Sequence, residues 1–104
     1  MEIVVAHDAA GVAVTAAAQV VELVRRRPTA VLGLATGLSP LGLYSELVRH
    51  VQGGLDMSQV RAFALDEYVG LPPEDRRSYA AVIRTHVTEP LGLDPLRVRV
   101  PTCL

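Results

Sequence analysis

The segment Thr36-Gly37-Leu38-Ser39-Pro40 has the residue types of a phosphate-binding loop. Gly37 can adopt a positive φ, and Ser39 followed by Pro40 is the usual pair of helix N-cap and first helical residue. Such a turn presents free backbone N–H groups at the positive end of a helix dipole, and it can bind phosphate without any lysine. An ordinary strand-to-helix turn in which Ser39 only caps the helix fits the same residues and is the commoner case.

The acidic pair Asp66-Glu67 is the second candidate for chemistry, because it directly follows the apolar run 59–65. Successive side chains of a strand point to opposite faces, so the two carboxylates cannot both face the same ligand if the strand continues through them. One carboxylate is therefore a candidate general base. The alternative interpretation is a helix-capping or solvated acidic pair, and the residues alone leave both open.

The elements that must position these segments follow from the hydrophobic pattern. Short apolar runs, rich in β-branched residues, predict strands at residues 3–6, 30–35, 59–65 and 96–100. Helical spacing of apolar residues between the runs predicts three helices.

Capping and stop signals bound the predicted helices. Asp8 is placed to cap the first helix, Pro28 stops it, and Gly53-Gly54 ends the second. His86 falls on the apolar face of the third helix, where a hydrogen-bonded core histidine is favoured over a ligand.

Alternating strands and helices predict an α/β fold: a parallel Rossmann-like sheet with right-handed crossovers and helices on both faces, a three-layer α/β/α arrangement. Ligands of such sheets bind at the carboxyl ends of the strands, where both candidate segments lie. A strand plus crossover helix takes roughly 30 residues, so the chain holds about half of a typical domain. Half a sheet would expose an apolar edge and face, which predicts self-association or a homo-oligomer.

Composition excludes several functions. All ten basic residues are arginine, so a lysine Schiff base and a P-loop are excluded. A net charge of −1 gives no support for a nucleic-acid partner, and no segment reads as a signal peptide or membrane span. The single cysteine, Cys103, cannot form an intramolecular disulfide, which favours a reducing compartment, by default the cytoplasm.

The motifs together resemble the glucosamine-6-phosphate deaminase family. The resemblance rests on residues 32–41 with Tyr44, on residues 66–72, and on Ser78-Tyr79, in the right order and at fitting separations. It extends over nearly the whole chain from Ile3 onward. The related 6-phosphogluconolactonases share a similar first loop but typically have Asp-Glu-Arg at the second site, so Tyr68 favours the deaminase.

The resemblance implies an enzyme that converts glucosamine 6-phosphate to fructose 6-phosphate and ammonia, a hydrolase of amino-sugar catabolism. It implies that a small sugar phosphate is the partner and that no metal or organic cofactor is needed. The substrate phosphate would bind Thr36, Gly37, Leu38 and Ser39, and Asp66 would be the catalytic base. A single carboxylate suits this role because the reaction moves one proton between neighbouring carbons.

The chain also departs from the family. Complete deaminases are more than twice as long, and their second half carries the Asp, His and Glu that open the sugar ring. His7, His50 and His86 do not substitute for these residues, and no family motif matches His7. Leu38 stands where relatives often have Gly or Ser, although its backbone N–H is unaffected.

We therefore expect residues 1–104 to be the N-terminal part of a single sugar-phosphate isomerase/deaminase domain, truncated at its C-terminus and inactive alone. The alternatives are a non-catalytic sugar-phosphate sensor domain and a 6-phosphogluconolactonase-like hydrolase.

Overall fold

The structure is a computed structural model that describes residues 3–101. Cys103 lies outside the described residues, and the cytoplasmic location inferred from it stays a prediction. The elements in chain order are α1 (Ala9–Arg26), β1 (Val31–Leu34), α2 (Leu41–Gln52), β2 (Arg61–Ala64), α3 (Tyr79–Ile83), a π-helical turn (Arg84–Thr88), a short 3-10 helix (Pro95–Arg97) and β3 (Val98–Arg99). Within residues 3–101, no helix combines the length and the apolar character needed to cross a membrane.

The three strands form one parallel sheet in the order β1-β2-β3. Leu34 is paired with Ala64 at the last position of the first pair, and Ala62 with Val98 in the second. The predicted α/β class is confirmed as a partial Rossmann-like domain. The fourth predicted strand is shorter than expected, because the 3-10 helix takes up the first part of residues 96–100.

One face of the sheet carries the core. Leu34, Ala62 and Ala64 on this face are buried together with side chains from all three helices, and the core includes Val21, Leu47 and Ile83. Burial of apolar surface is worth about 25 cal/mol per Å², so these contacts stabilise the sheet on this face.

The opposite face is open. Gly33, Phe63 and Arg99 lie side by side on it and are all exposed, and Val31 beside them is 51% exposed. The prediction of helices on both faces is therefore met on one face only within residues 3–101. The exposed apolar face that was expected of a half-sheet is present.

Local signals set the helix ends as the sequence predicts. The Asp8 carboxylate accepts a hydrogen bond from the Gly11 N–H at 2.8 Å and caps α1, and Arg25 and Arg26 lie in its last turn. The Gly53 N–H bonds back to the end of α2, and Gly54 follows with φ of 113°.

The predicted strand at residues 3–6 is wrong. These residues form no strand, and Ile3, Val4 and Val5 are exposed. A β-branched run becomes a strand only where a neighbouring strand completes its hydrogen bonds and its side chains are covered. This segment has neither among the described residues.

The prediction of a core position for His86 is also wrong, since this side chain is exposed. The cause is the π-helical turn, in which the Glu89 N–H bonds to the Arg84 carbonyl five residues back at 3.1 Å. The wider turn changes the helical phase, so that Val87 and Thr88 are buried and His86 is not.

Candidate functional site

The two candidate loops leave the sheet at equivalent points. Leu34 of β1 pairs with Ala64 of β2, and Thr36 and Asp66 each lie two residues beyond these partners. Adjacent strands lie about 4.8 Å apart, so both loops start at one sheet edge. The predicted juxtaposition of the two segments at the carboxyl ends of the strands is thus present.

The loop after β1 is open. Gly37 has φ of 96°, the left-handed conformation that the sequence predicts, and Leu38 is 87% exposed. In the described part of the chain, the backbone N–H groups of residues 36–39 donate to no protein acceptor. Four backbone donors are therefore available to a ligand just before the N-terminus of α2, where the helix dipole favours an anion.

The predicted capping role of Ser39 is wrong. Pro40, with φ of −83° and ψ of −6°, occupies the position before the first helical residue, and no side chain caps α2. A turn closed by the Leu41 N–H and the Leu38 carbonyl at 3.2 Å places Ser39 inside it. The hydroxyl of Ser39 is therefore not committed to the helix.

Tyr44 anchors the start of this open loop. Its ring is buried, and its hydroxyl donates a hydrogen bond to the Ala35 carbonyl, directly before Thr36. Burial raises the pKa of the Tyr44 hydroxyl and outweighs the lowering effect of this hydrogen bond, so the group stays protonated and remains a donor. No local pattern in the sequence predicts this bond, which joins residues nine positions apart.

The two carboxylates of the loop after β2 have different surroundings, although β2 ends at Ala64 and strand alternation does not extend to them. Glu67 accepts hydrogen bonds from the backbone N–H groups of Tyr68 at 2.9 Å, Tyr79 at 2.8 Å and Ala80 at 2.8 Å. Asp66 is exposed, and no hydrogen bond or ion pair within residues 3–101 involves its carboxylate. The capping interpretation therefore holds for Glu67, and Asp66 is the carboxylate available to a ligand.

The electrostatics of Glu67 agree with its contacts. Partial burial acts to raise the pKa of this carboxyl, but the three N–H donors together lower the pKa below its ordinary value. Glu67 is therefore ionised at neutral pH and committed to the first turn of α3.

Ser78 caps the same helical turn. Its buried hydroxyl accepts from the Ala81 N–H and donates to the Pro73 carbonyl, both at 3.0 Å. With Glu67, side chains thus satisfy the N–H groups of Tyr79, Ala80 and Ala81, which have no partner within the helix.

Two further pairs stiffen the same loop. The Arg77 guanidinium forms a bidentate pair with Asp75 at 3.1 and 2.8 Å, and hydrogen bonds from its side chain and backbone N–H lower the pKa of Asp75 to about 2. The Tyr68 and Tyr79 rings lie 4.8 Å apart between centroids. The hydrogen bond between the two hydroxyls and the closeness of the second ionisable phenol raise the pKa of Tyr68, and desolvation and the charges of Asp66 and Glu67 add to this rise.

No three His, Cys, Asp or Glu side chains cluster closely enough to hold a metal ion in the part of the chain that the structure describes. The groups available at the sheet edge are backbone N–H donors, the hydroxyls of Thr36 and Ser39, and the carboxylate of Asp66.

The parallel sheet, its crossover helices and its paired edge loops define part of a Rossmann-like α/β domain. Over nearly its whole length the chain is similar to glucosamine-6-phosphate deaminases. It is 48% identical to the enzyme of that name from Cutibacterium acnes and 52% identical to that from Rhodococcus opacus, each over 102 residues. Both alignments cover 97% of this chain and 39% of the relative, so the chain spans about two fifths of the length of these relatives.

Solved structures agree with the sequence comparison. A structure described as a monomeric glucosamine-6-phosphate deaminase superposes with a TM-score of 0.92 at 30% identity, covering 98% of this chain and 43% of that one. The 6-phosphogluconolactonase of Leishmania guyanensis superposes with a TM-score of 0.73 at 19% identity, covering 92% of this chain and 37% of that one; this likeness shows the fold alone. No protein-family model matches the chain. The predicted resemblance to the deaminases is confirmed.

Proposed function

We propose that this chain supplies the phosphate loop and the proton-transferring carboxylate of a glucosamine-6-phosphate deaminase. One observation carries the proposal. In a chain similar to deaminases over 97% of its length, an open N–H loop and an unengaged carboxylate leave neighbouring strands at equivalent positions. The substrate would be glucosamine 6-phosphate, as the names of these relatives suggest.

The open loop is suited to the phosphate end of that substrate. Thr36, Gly37, Leu38 and Ser39 offer backbone N–H groups, and two of these residues add a hydroxyl. Phosphate accepts several such bonds at once, and the N-terminus of α2 adds a favourable dipole. Leu38 participates through its backbone alone, so its large side chain does not weaken the assignment.

Asp66 is suited to the other end of the open-chain sugar. Its carboxylate would take the proton from C2, which leaves an enolamine, and return it to C1, which leaves an imine at C2. Water then adds to the imine, and ammonia leaves. The carbon-skeleton step is thus an isomerisation, and only the release of ammonia is a hydrolysis. A positioned carboxylate contributes about 10²–10⁴-fold to such a transfer.

The test uses the complete protein encoded by the gene that carries this sequence. Asp66→Asn should lower kcat for formation of fructose 6-phosphate and ammonia by about 10²–10⁴-fold and leave substrate binding nearly unchanged. Glu89→Gln is the matched control, because it removes one exposed carboxylate beyond the far end of α3. Full turnover in Asp66→Asn would remove Asp66 from the role of base.

Two further measurements separate the alternatives. Hydrolysis of the phosphogluconolactone without deamination would favour the lactonase. Binding of the sugar phosphate with no turnover of either substrate would favour the sensor domain.

A further inference from the structure

We infer that Glu67 is a positioning residue for the deaminase reaction and that it acts by tying the segment that carries Asp66 to the start of α3. The inference rests on the proposed function. It assigns a role to a carboxylate that the proposed chemistry leaves unused.

The contacts of Glu67 connect two distant parts of the chain. Its Oε1 accepts from the Tyr68 and Tyr79 N–H groups, and its Oε2 accepts from the Ala80 N–H. The last two donors lie 12 and 13 residues further along the chain, inside the first turn of α3. Both carboxylate oxygens are thereby fixed to backbone atoms, and the backbone of residue 67 is fixed with them.

This attachment bears directly on Asp66. The two residues share a peptide bond, and their side chains diverge, so Glu67 faces α3 while Asp66 stays exposed. A side chain without partners of its own depends on its backbone for its position. Glu67 therefore sets where the Asp66 carboxylate stands relative to the neighbouring loop at residues 36–39.

The packing of Tyr68 on Tyr79 also helps to hold the segment of Asp66 in place. Tyr68 packs against Tyr79, the residue whose N–H bonds to Glu67, so residues 67 and 68 both contact the same helical turn. Asp66 is thus followed by two consecutive anchored residues.

Glu67→Gln in the complete protein tests the inference, with Ser78→Ala as the matched control. Gln keeps the size of Glu67 but replaces one acceptor oxygen with an NH₂ group. Ser78→Ala removes another side-chain cap of the same helical turn, on Ala81, without touching residues 66–68. Steady-state kinetics and amide hydrogen exchange are measured for both variants.

We expect Glu67→Gln to lower kcat by about 10–100-fold with KM changed less than threefold, because a displacement of about 1 Å in a reacting group can cost two orders of magnitude. Amide exchange at Tyr79 or Ala80 should accelerate. Ser78→Ala should accelerate exchange at Ala81 and leave kcat within about twofold of the parent.

An unchanged kcat in Glu67→Gln, or an equal loss in Ser78→Ala, would overturn the positioning role. If Glu67→Gln does not fold, Glu67→Asp replaces it: the carboxylate is kept but is shorter by one methylene, and a kcat equal to the parent then overturns the inference. The failure of the proposed function looks different, since Asp66→Asn itself would then retain turnover.

Discussion

The loop after β1 and the loop after β2 start at paired positions of neighbouring strands, yet their polar groups are used in different ways. In residues 36–39 the backbone N–H groups have no protein acceptor among the described residues, and Ser39 caps nothing. In residues 66–78 several polar side chains, those of Glu67, Asp75, Arg77 and Ser78, bond to protein partners, whereas the Asp66 carboxylate bonds to none among the described residues. This difference fits the proposed roles, in which residues 36–39 receive an anion and Glu67 holds the segment of Asp66 in place.

Ser39→Ala and Ser78→Ala make the same chemical change in the two loops and should give opposite results. Ser39→Ala should weaken binding of glucosamine 6-phosphate by about 1.5–3 kcal/mol, the usual size of a hydrogen bond to a charged group, and leave the free energy of unfolding unchanged. Ser78→Ala should lower the free energy of unfolding by about 0.5–2 kcal/mol through the lost cap. Calorimetric titration and urea unfolding measure the two quantities.

Thr36→Val extends this test to the other hydroxyl of the open loop, with unphosphorylated glucosamine as the control ligand. Equal losses of affinity for the two sugars would contradict the phosphate assignment of residues 36–39.

Tyr44→Phe and Tyr79→Phe compare two hydroxyls, one bonded to Ala35 before the loop after β1 and one in contact with Tyr68 in the loop after β2. Loss of the buried Tyr44 donor should lower the free energy of unfolding by about 0.5–1.5 kcal/mol and also weaken phosphate binding, because Ala35 precedes Thr36. Tyr79→Phe removes only an exposed contact of 3.5 Å and should have the smaller effect on both. A larger effect of Tyr79→Phe would contradict the role of Tyr44 as an anchor of residues 36–39.

Acid should destabilise the loop after β2 more than the loop after β1, and this is the smallest effect that we predict. The folded-state pKa of Asp75 is about 2 and that of Glu67 is also lowered, so both groups stabilise the fold above their unfolded pKa values. This stabilisation is lost as the pH falls from about 4 towards 2. The free energy of unfolding, measured with urea across this pH range, should decline less steeply in Asp75→Asn than in the parent. Parallel curves would contradict the role of the Asp75–Arg77 pair.

The parts of the fold that the sequence predicts correctly are those decided by neighbouring residues. The Asp8 carboxylate caps α1 by accepting a hydrogen bond from the Gly11 N–H only three residues away, and Gly37 turns the chain by its own φ. The positions of β1, α2 and β2 follow from short apolar runs and helical spacing in the same way.

The parts that fail depend on distant residues. Residues 3–6 have the composition of a strand, but a strand requires a partner elsewhere in the chain. His86 is displaced by a π-helical turn that the helical spacing gives no sign of. In the site, Glu67 caps residues 12 and 13 positions later, and such a contact leaves no local pattern. The sequence therefore could not say which of Asp66 and Glu67 would be engaged.

The bonds from Glu67 to Tyr79 and Ala80 close a ring of about a dozen residues, and this closure has a thermodynamic consequence for ligand binding. Ordering a flexible loop costs conformational entropy, which must be supplied either when the chain folds or when the ligand arrives. Here the closure belongs to folding, so a sugar that binds beside Asp66 need not order residues 67–79 itself. Its affinity and its enthalpy of binding should therefore report the contacts it makes and contain little contribution from a disorder-to-order transition in this loop.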